Sequence, residues 1–184
     1  NLPLQTDNNQ YLGNGVHPYT MGLTNTFKYK NFTFDALVDG KFGGSIFSVM
    51  EVYATRLGLM KSTLPGRENG LLLTGVTAKG DAYSHTVPVA NLRSAYYNNL
   101  NRYTELFVHD ASFVKLRQII LSYNLPTGLL KAVGVKSASV SLVGRNLLIL
   151  FKKTDNFDPE QGLTNGSAQG IESIGLPRTR SYGI

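Results

Sequence analysis

The stretch Gly22-Leu23-Thr24-Asn25-Thr26-Phe27-Lys28-Tyr29-Lys30-Asn31-Phe32-Thr33-Phe34-Asp35-Ala36-Leu37-Val38-Asp39-Gly40-Lys41-Phe42 alternates along almost its whole length. Leu23, Phe27 and Tyr29 share one side with Asn25, and Thr24, Thr26, Lys28 and Lys30 take the other. After Asn31 the pattern resumes, with Phe32, Phe34, Ala36, Val38, Gly40 and Phe42 set against Thr33, Asp35, Leu37, Asp39 and Lys41. A period of two is that of a strand with one apolar face. Two such runs separated by Lys30-Asn31 predict an antiparallel hairpin, although Lys-Asn is not the Asn-Gly or Asp-Gly pair that two-residue turns favour.

The same reading extends along the chain. Phe113 to Leu125 predicts a third strand, in which Val114 and Leu116 lie out of phase with Ile119, Leu121 and Tyr123; a bulge near Arg117 reconciles the halves. Pro126 ends it. Thr127 caps one helical turn through Leu129, Leu130 and Val133, and Gly134 closes that turn. Val135 to Phe151 predicts a fourth strand, with Ala138, Val140, Leu142 and Gly144 on one face and Ser137, Ser139, Ser141 and Arg145 on the other. Pro177 to Ile184 alternates as the beginning of a fifth. Between strands two and three, Ile46, Val49, Met50, Tyr53 and Leu57 predict a helix from Ser45, its N-cap, to Leu57, stopped by Gly58. The rest of 43–111 is weakly periodic, apart from a short helix expected over Val89 to Arg102, and 152–176 is irregular. Both segments read as long loops, a length that compact domains reserve for function.

Composition narrows the class. The 184 residues carry 18 Lys plus Arg against 12 Asp plus Glu, a net charge of +6, with 42% hydrophobic and 16% charged residues. That is too apolar for a disordered chain. No run approaches the apolar length a membrane helix needs. The absence of Cys excludes a disulfide framework and thiolate metal sites. Asn1, with no Met, basic region or apolar leader after it, reads as a cut rather than a targeting signal.

Strands that are greasy on one face and polar on the other suit two settings. In water they form an antiparallel sheet covering a core. In an outer membrane they form a barrel with lipid outside and a polar lumen inside. The connections alternate strictly between short and long, which a barrel with one short-turn rim and one long-loop rim explains. Five strands nevertheless leave two open edges, and open edges cannot sit in lipid. Barrels of this kind begin at about eight strands, so either the remaining wall lies outside this chain or the sheet is soluble.

Particular strings favour the barrel. Ala111-Ser112-Phe113-Val114-Lys115-Leu116-Arg117, continuing to Leu121-Ser122-Tyr123-Asn124-Leu125-Pro126, resembles the closing part of SusC/RagA-type TonB-dependent outer-membrane transporters. So do Val143-Gly144-Arg145-Asn146-Leu147-Leu148 with the following Phe157-Asp158-Pro159-Glu160, and Pro177-Arg178-Thr179-Arg180-Ser181-Tyr182. Tyr29-Lys30-Asn31-Phe32 and Gly40-Lys41-Phe42-Gly43-Gly44 resemble a hairpin several strands earlier. Residues 59–110 match least. The resemblance implies an all-β fold, with residues 1–184 as the C-terminal segment, about five strands, of a 22-stranded transmembrane barrel with long, partly helical extracellular loops. It implies an N-terminal plug elsewhere, a SusD-like surface lipoprotein as partner, energy from the TonB complex, and uptake of glycan or peptide across a Gram-negative outer membrane.

Candidate chemistry is sparse. Asp155, Asp158 and Glu160 cluster after the fourth strand and could offer oxygen ligands to a hard cation; a turn set by Asp-Pro is the competing reading. His17, His85 and His109 stand at no metal-binding interval. No nucleophile elbow, Walker lysine or complete dinucleotide loop is present, and no cofactor is expected. Arg145 either lines a lumen or lies exposed on a soluble sheet. Tyr53, Tyr83, Tyr96, Tyr97 and Tyr103 could stack on sugar rings or on a partner, or pack within the long loop. Scattered Lys and Arg without a basic run argue against nucleic acid.

A soluble all-β carbohydrate-binding or adhesion domain is the rival expectation. A glycan-cleaving enzyme built from two of Asp35, Asp39, Glu51, Asp155 and Glu160 would need carboxyl groups about 5 to 9.5 Å apart. Asp35 and Asp39, four extended residues apart, stand about 13 Å from one another. No enzyme activity is expected.

Overall fold

The computed structural model describes every residue except 1, 6–8, 132, 133, 163–165 and 167. In chain order its elements are β1 (Tyr19–Tyr29), β2 (Phe32–Phe42), β3 (Ser45–Ser48), α1 (Val49–Arg56), β4 (Leu71–Val76), β5 (Ala82–Val87), β6 (Val108–Asp110), β7 (Phe113–Asn124), α2 (Thr127–Lys131), β8 (Ser139–Lys152), β9 (Ile171–Glu172) and β10 (Ser181–Gly183). They fall into two units, one made of 16–44, 110–161 and 176–184, the other of 1–15, 45–109 and 162–175.

The first unit is a five-stranded antiparallel sheet in the order β1-β2-β7-β8-β10. Tyr29 pairs with Phe32 across the two-residue turn, and Lys30 takes the left-handed conformation (φ 51°) that closes it without the favoured glycine. The register aligns the faces. Tyr19, Met21, Leu23, Phe27 and Tyr29 of β1 lie on the same face as Phe32, Phe34 and Val38 of β2, Ile119, Leu121 and Tyr123 of β7, and Val140 and Leu142 of β8. Direct cross-strand partners Phe27–Phe34 and Phe32–Tyr123 stack with ring centroids 6.3 and 4.7 Å apart, pairs worth about 0.5 kcal/mol each. This face is open: Leu23 is 60% exposed, Tyr29 71% and Leu142 53%.

The bulge expected near Arg117 is present. Val38 pairs with Leu116 and Leu37 with Gln118, so Arg117 is the extra residue. Three expected boundaries differ. The fourth strand begins at Ser139 instead of Val135, because Gly134 (φ 71°) and the bond from the Leu125 amide to the Ala138 carbonyl keep 134–138 in the connection. The last strand is confined to Ser181–Gly183, since the ladder with β8 ends at Arg145, Asn146 turns left-handed (φ 52°), and its side chain takes the Thr179 carbonyl. The helical turn runs from Thr127 to Lys131; Val133 lies outside the described residues.

The second unit holds the small sheet β6-β3-β9 and the hairpin β4-β5. Here the expected helix over Ser45 to Leu57 is corrected. Ser45–Ser48 is strand, paired in parallel with β9 through Phe47–Ile171 and Ser48–Glu172, and the helix starts at Val49. Ser48, not Ser45, is the N-cap: its Oγ accepts the Glu51 amide at 3.1 Å. Gly58 (φ 73°) ends the helix as expected. The hairpin over 71–87, where no regular structure was expected, buries Val87 with Leu92 and Tyr97, and packs Leu71, Leu73 and Leu100 around them. The expected helix over Val89 to Arg102 is a succession of 3-10 and π turns.

Candidate functional site

The polar face of the five-stranded sheet carries a compact ion cluster at its end away from the Lys30-Asn31 turn. β7 supplies Lys115 and Arg117, β2 supplies Asp39, and the segment after β8 supplies Asp158 and Glu160. The bulge makes this possible, because the extra residue turns Arg117 to the side where Asp39 and Lys115 already point.

The segment after β8 is shaped to meet them. Thr154 Oγ1 donates to the Phe157 carbonyl at 2.8 Å, and Lys152 Nζ donates to the carbonyls of Asp155 (3.1 Å) and Phe157 (3.0 Å). Asp158 Oδ1 accepts the Glu160 amide at 3.0 Å across Pro159, an Asx-type turn. Both carboxylates then face the strand. Lys115 Nζ reaches Asp158 at 2.6 and 2.7 Å and Glu160 at 2.7 Å. Arg117 forks onto Asp39 at 2.5 and 3.0 Å and onto both oxygens of Glu160. The side chains of Lys115, Asp158 and Glu160 are 5%, 8% and 8% exposed. Beneath them the ring of Phe113, itself fully buried, lies 5.1 Å from the Lys115 ammonium.

Burial alone would push the Glu160 carboxyl up, but the hydrogen bonds and positive charges of Arg117 and Lys115 outweigh it and hold the group at about 2. Asp110 behaves alike in a more open place: burial raises it, and Lys153 and Ser112 bring it below the ordinary carboxylate range. With Arg178 Nε 3.7 Å from Glu160 as a more exposed third cation, three positive charges face three carboxylates, a structural clamp and not an acid or base poised for proton transfer.

The sequence candidates separate accordingly. Of Asp155, Asp158 and Glu160, the last two are engaged by cations of the protein, while Asp155 contributes a backbone carbonyl to Lys152. Among the described residues no group of three or more His, Asp or Glu could hold a metal ion. The carboxylates considered for glycan cleavage are also engaged: Asp35 accepts from Thr26, Asp39 from Arg117, and Glu51 pairs with His109 at 2.6 Å. Tyr97 and Tyr103 are buried. The Tyr97 hydroxyl donates to the carbonyls of Thr63 and Pro65, and the Tyr103 hydroxyl to Pro3. Burial raises the Tyr97 phenol despite nearby Arg67. Tyr53 is half exposed with Arg56 over its ring, and Tyr96 joins Tyr83 and Leu73 in lining a cavity of about 440 Å³ in the second unit. Arg145 is exposed and shares its face with its cross-strand partners Gln118 and Ser181.

One feature was missed entirely. Glu172 is fully buried; it accepts from Ser48 Oγ (2.7 Å) and the Met50 amide (3.2 Å) through one oxygen, and from the Ile174 amide through the other. It thus sits at the N-terminus of α1, where the helix dipole favours a carboxylate.

The chain is thus mostly antiparallel sheet, with one open apolar face and one polar face that holds buried ion pairs. No family model matches. TonB-dependent receptors are similar to this chain along nearly its whole length. TonB-dependent receptor P3 of Formosa agariphila is 26% identical over 99% of the chain, and receptor P26 of the same organism is 29% identical over 98%. The chain spans only 17% and 18% of those relatives' lengths. Among solved structures, the RagAB peptide importer in its closed-closed state covers 91% of the chain with a TM-score of 0.60 at 23% identity, and its open-open state gives 0.56 at 22%. The resemblance carried by the Phe113–Arg117 and Val143–Leu148 strings is thus matched in both sequence and fold.

Proposed function

We propose that the chain is a C-terminal wall segment of an outer-membrane, TonB-dependent nutrient importer of the SusC type. The observation that carries this reading is the exposed apolar face of the five-stranded sheet, continuous from Tyr19 on β1 to Tyr182 on β10, opposite a polar face that holds the buried ion cluster. A soluble domain would bury that face; a bilayer covers it. The two edge strands pair with further strands of a 22-stranded barrel, which satisfies their backbone groups in lipid. The ion cluster fixes the segment after β8 to the lumenal side of the wall, and Arg145 faces the lumen.

In this reading the whole protein imports oligosaccharide or peptide in a Gram-negative outer membrane, with the TonB complex acting on its other parts and a SusD-like lipoprotein at the surface. The likeness to a peptide importer favours peptide. Residues 43–111 and 152–176 form the extracellular loops, where Tyr53 and Tyr96 contact partner or cargo. The segment performs no bond chemistry. Cell fractionation followed by electrophoresis with and without boiling tests the assignment. Recovery with the outer membrane and heat-dependent mobility support it, and recovery as a monomer in plain buffer overturns it.

A further inference from the structure

The charges of the five-stranded sheet are distributed unevenly between its two ends. At one end the carboxylates Asp39, Asp110, Asp158 and Glu160 are matched by Lys115, Arg117 and Lys153. At the other, around the Lys30-Asn31 turn, the nearest carboxylate is Asp35 on the polar face, which accepts from Thr26, and Lys30, Lys131 and Lys136 form no ion pair among the described residues. From Ala111 through Thr154 the chain contains no Asp or Glu, and Gly22 to Phe34 contains none either. Four lysines gather there. Lys28 and Lys30 flank the end of β1, and Lys131 and Lys136 lie in the connection between β7 and β8. Hydrogen bonds tie that connection to the turn: the Asn124 amide donates to the Asn31 carbonyl and Asn31 Nδ2 to the Asn124 carbonyl, both at 2.9 Å. All four lysines are exposed, and none has an ion-pair partner among the described residues.

The same end carries aromatic side chains of the apolar face. Tyr29 and Phe32 are exposed, Phe32 stacks on Tyr123, and the Lys30 ammonium lies 5.4 Å from the Tyr29 ring. Aromatic rings at a membrane boundary sit at headgroup depth, and cationic side chains beside them extend to the phosphate level. We propose that this rim, Lys30, Lys131 and Lys136 beside Tyr29, Phe32 and Tyr123, binds anionic phospholipid headgroups, while Lys28 points to the polar face. The proposal rests on the wall reading, which places the aromatic face in lipid. The chemistry favours phosphate over an acidic protein face, because the unpaired cations continue directly from the lipid-facing aromatic ring of Tyr29.

The test uses the intact protein in bilayers containing equal amounts of phosphatidylglycerol and phosphatidylcholine, one of them brominated. A fluorophore on Tyr123→Cys reports quenching at this rim. Brominated phosphatidylglycerol should quench more strongly, and K30Q/K131Q/K136Q should reduce the preference by about fivefold per lysine, whereas the corresponding Arg variants retain it. Equal quenching by both lipids overturns the headgroup proposal and leaves the wall reading standing. Equal quenching with Lys30, Lys131 and Lys136 shielded from a water-soluble acetylating reagent assigns the rim to an acidic protein partner, and also overturns it. No quenching by either lipid overturns the wall reading itself.

Discussion

Replacing Glu160 by Gln removes one charge from the cluster while keeping its shape, and the structure sets the size of the effect. In the unfolded chain the carboxyl titrates near 4.5, and in the fold it is held at about 2. The group is almost fully buried, so solvent screening takes little from the difference, which corresponds to roughly 3 kcal/mol. Removing one partner of a buried pair costs roughly 3 to 5 kcal/mol by independent reckoning, so the two agree. Because the folded pKa is the lower one, this stabilisation is complete above about pH 4.5 and disappears as the pH falls towards 2. Reversible urea unfolding of the reconstituted protein, wild type beside E160Q, reads the gap directly. It should stand near 3 kcal/mol at pH 7, narrow below pH 4.5 and close by about pH 2. A gap under about 1 kcal/mol at pH 7, or one that does not narrow in acid, would refute the reasoning.

Three further outcomes follow from the same geometry. Arg117→Lys keeps the charge but cannot fork onto Asp39 and Glu160 together, and should cost about 2 kcal/mol in the same unfolding assay. Ser48→Ala removes both the cap on the Glu51 amide and a donor to buried Glu172 and should cost about 2 kcal/mol, whereas Ser45→Ala should stay within about 0.5; hydrogen exchange at α1 separates the two. Tyr97→Phe leaves the carbonyls of Thr63 and Pro65 without their donor and should cost about 1 kcal/mol, with protection lost locally around 63–65.

The strands were legible in the sequence because a period of two is a local signal, and the Lys30-Asn31 hairpin stands within a residue or so of its expected limits at the turn. The bulge was legible for the same reason: two halves of one strand, Val114-Leu116 and Ile119-Leu121-Tyr123, pointed to opposite faces. The helix start was misplaced because apolar spacing alone cannot distinguish Ser45 from Ser48. The decisive facts are the Ser48-x-x-Glu51 spacing of a capping box and the distant pairing of Phe47 with Ile171. The hairpin over 71–87 has an interrupted pattern, with Gly75 in one strand and His85 in the other, and its stability comes from Val87 packing on Leu92 and Tyr97. For the cluster, Asp158-Pro159-Glu160 was noticed as a turn, but its partners lie more than forty residues away in the chain. Period-two analysis places Lys115 on the polar face; it does not say which carboxylate returns to it.

Site-directed spin labelling in a bilayer tests the central claim most directly, with probes at Leu23 and Leu142 on one face of the sheet and at Thr24 and Ser141 on the other. The account predicts that Leu23 and Leu142 are accessible to dissolved oxygen and closed to a water-soluble nickel reagent, with Thr24 and Ser141 reversed. Free access of the nickel reagent to Leu23 and Leu142 would contradict it.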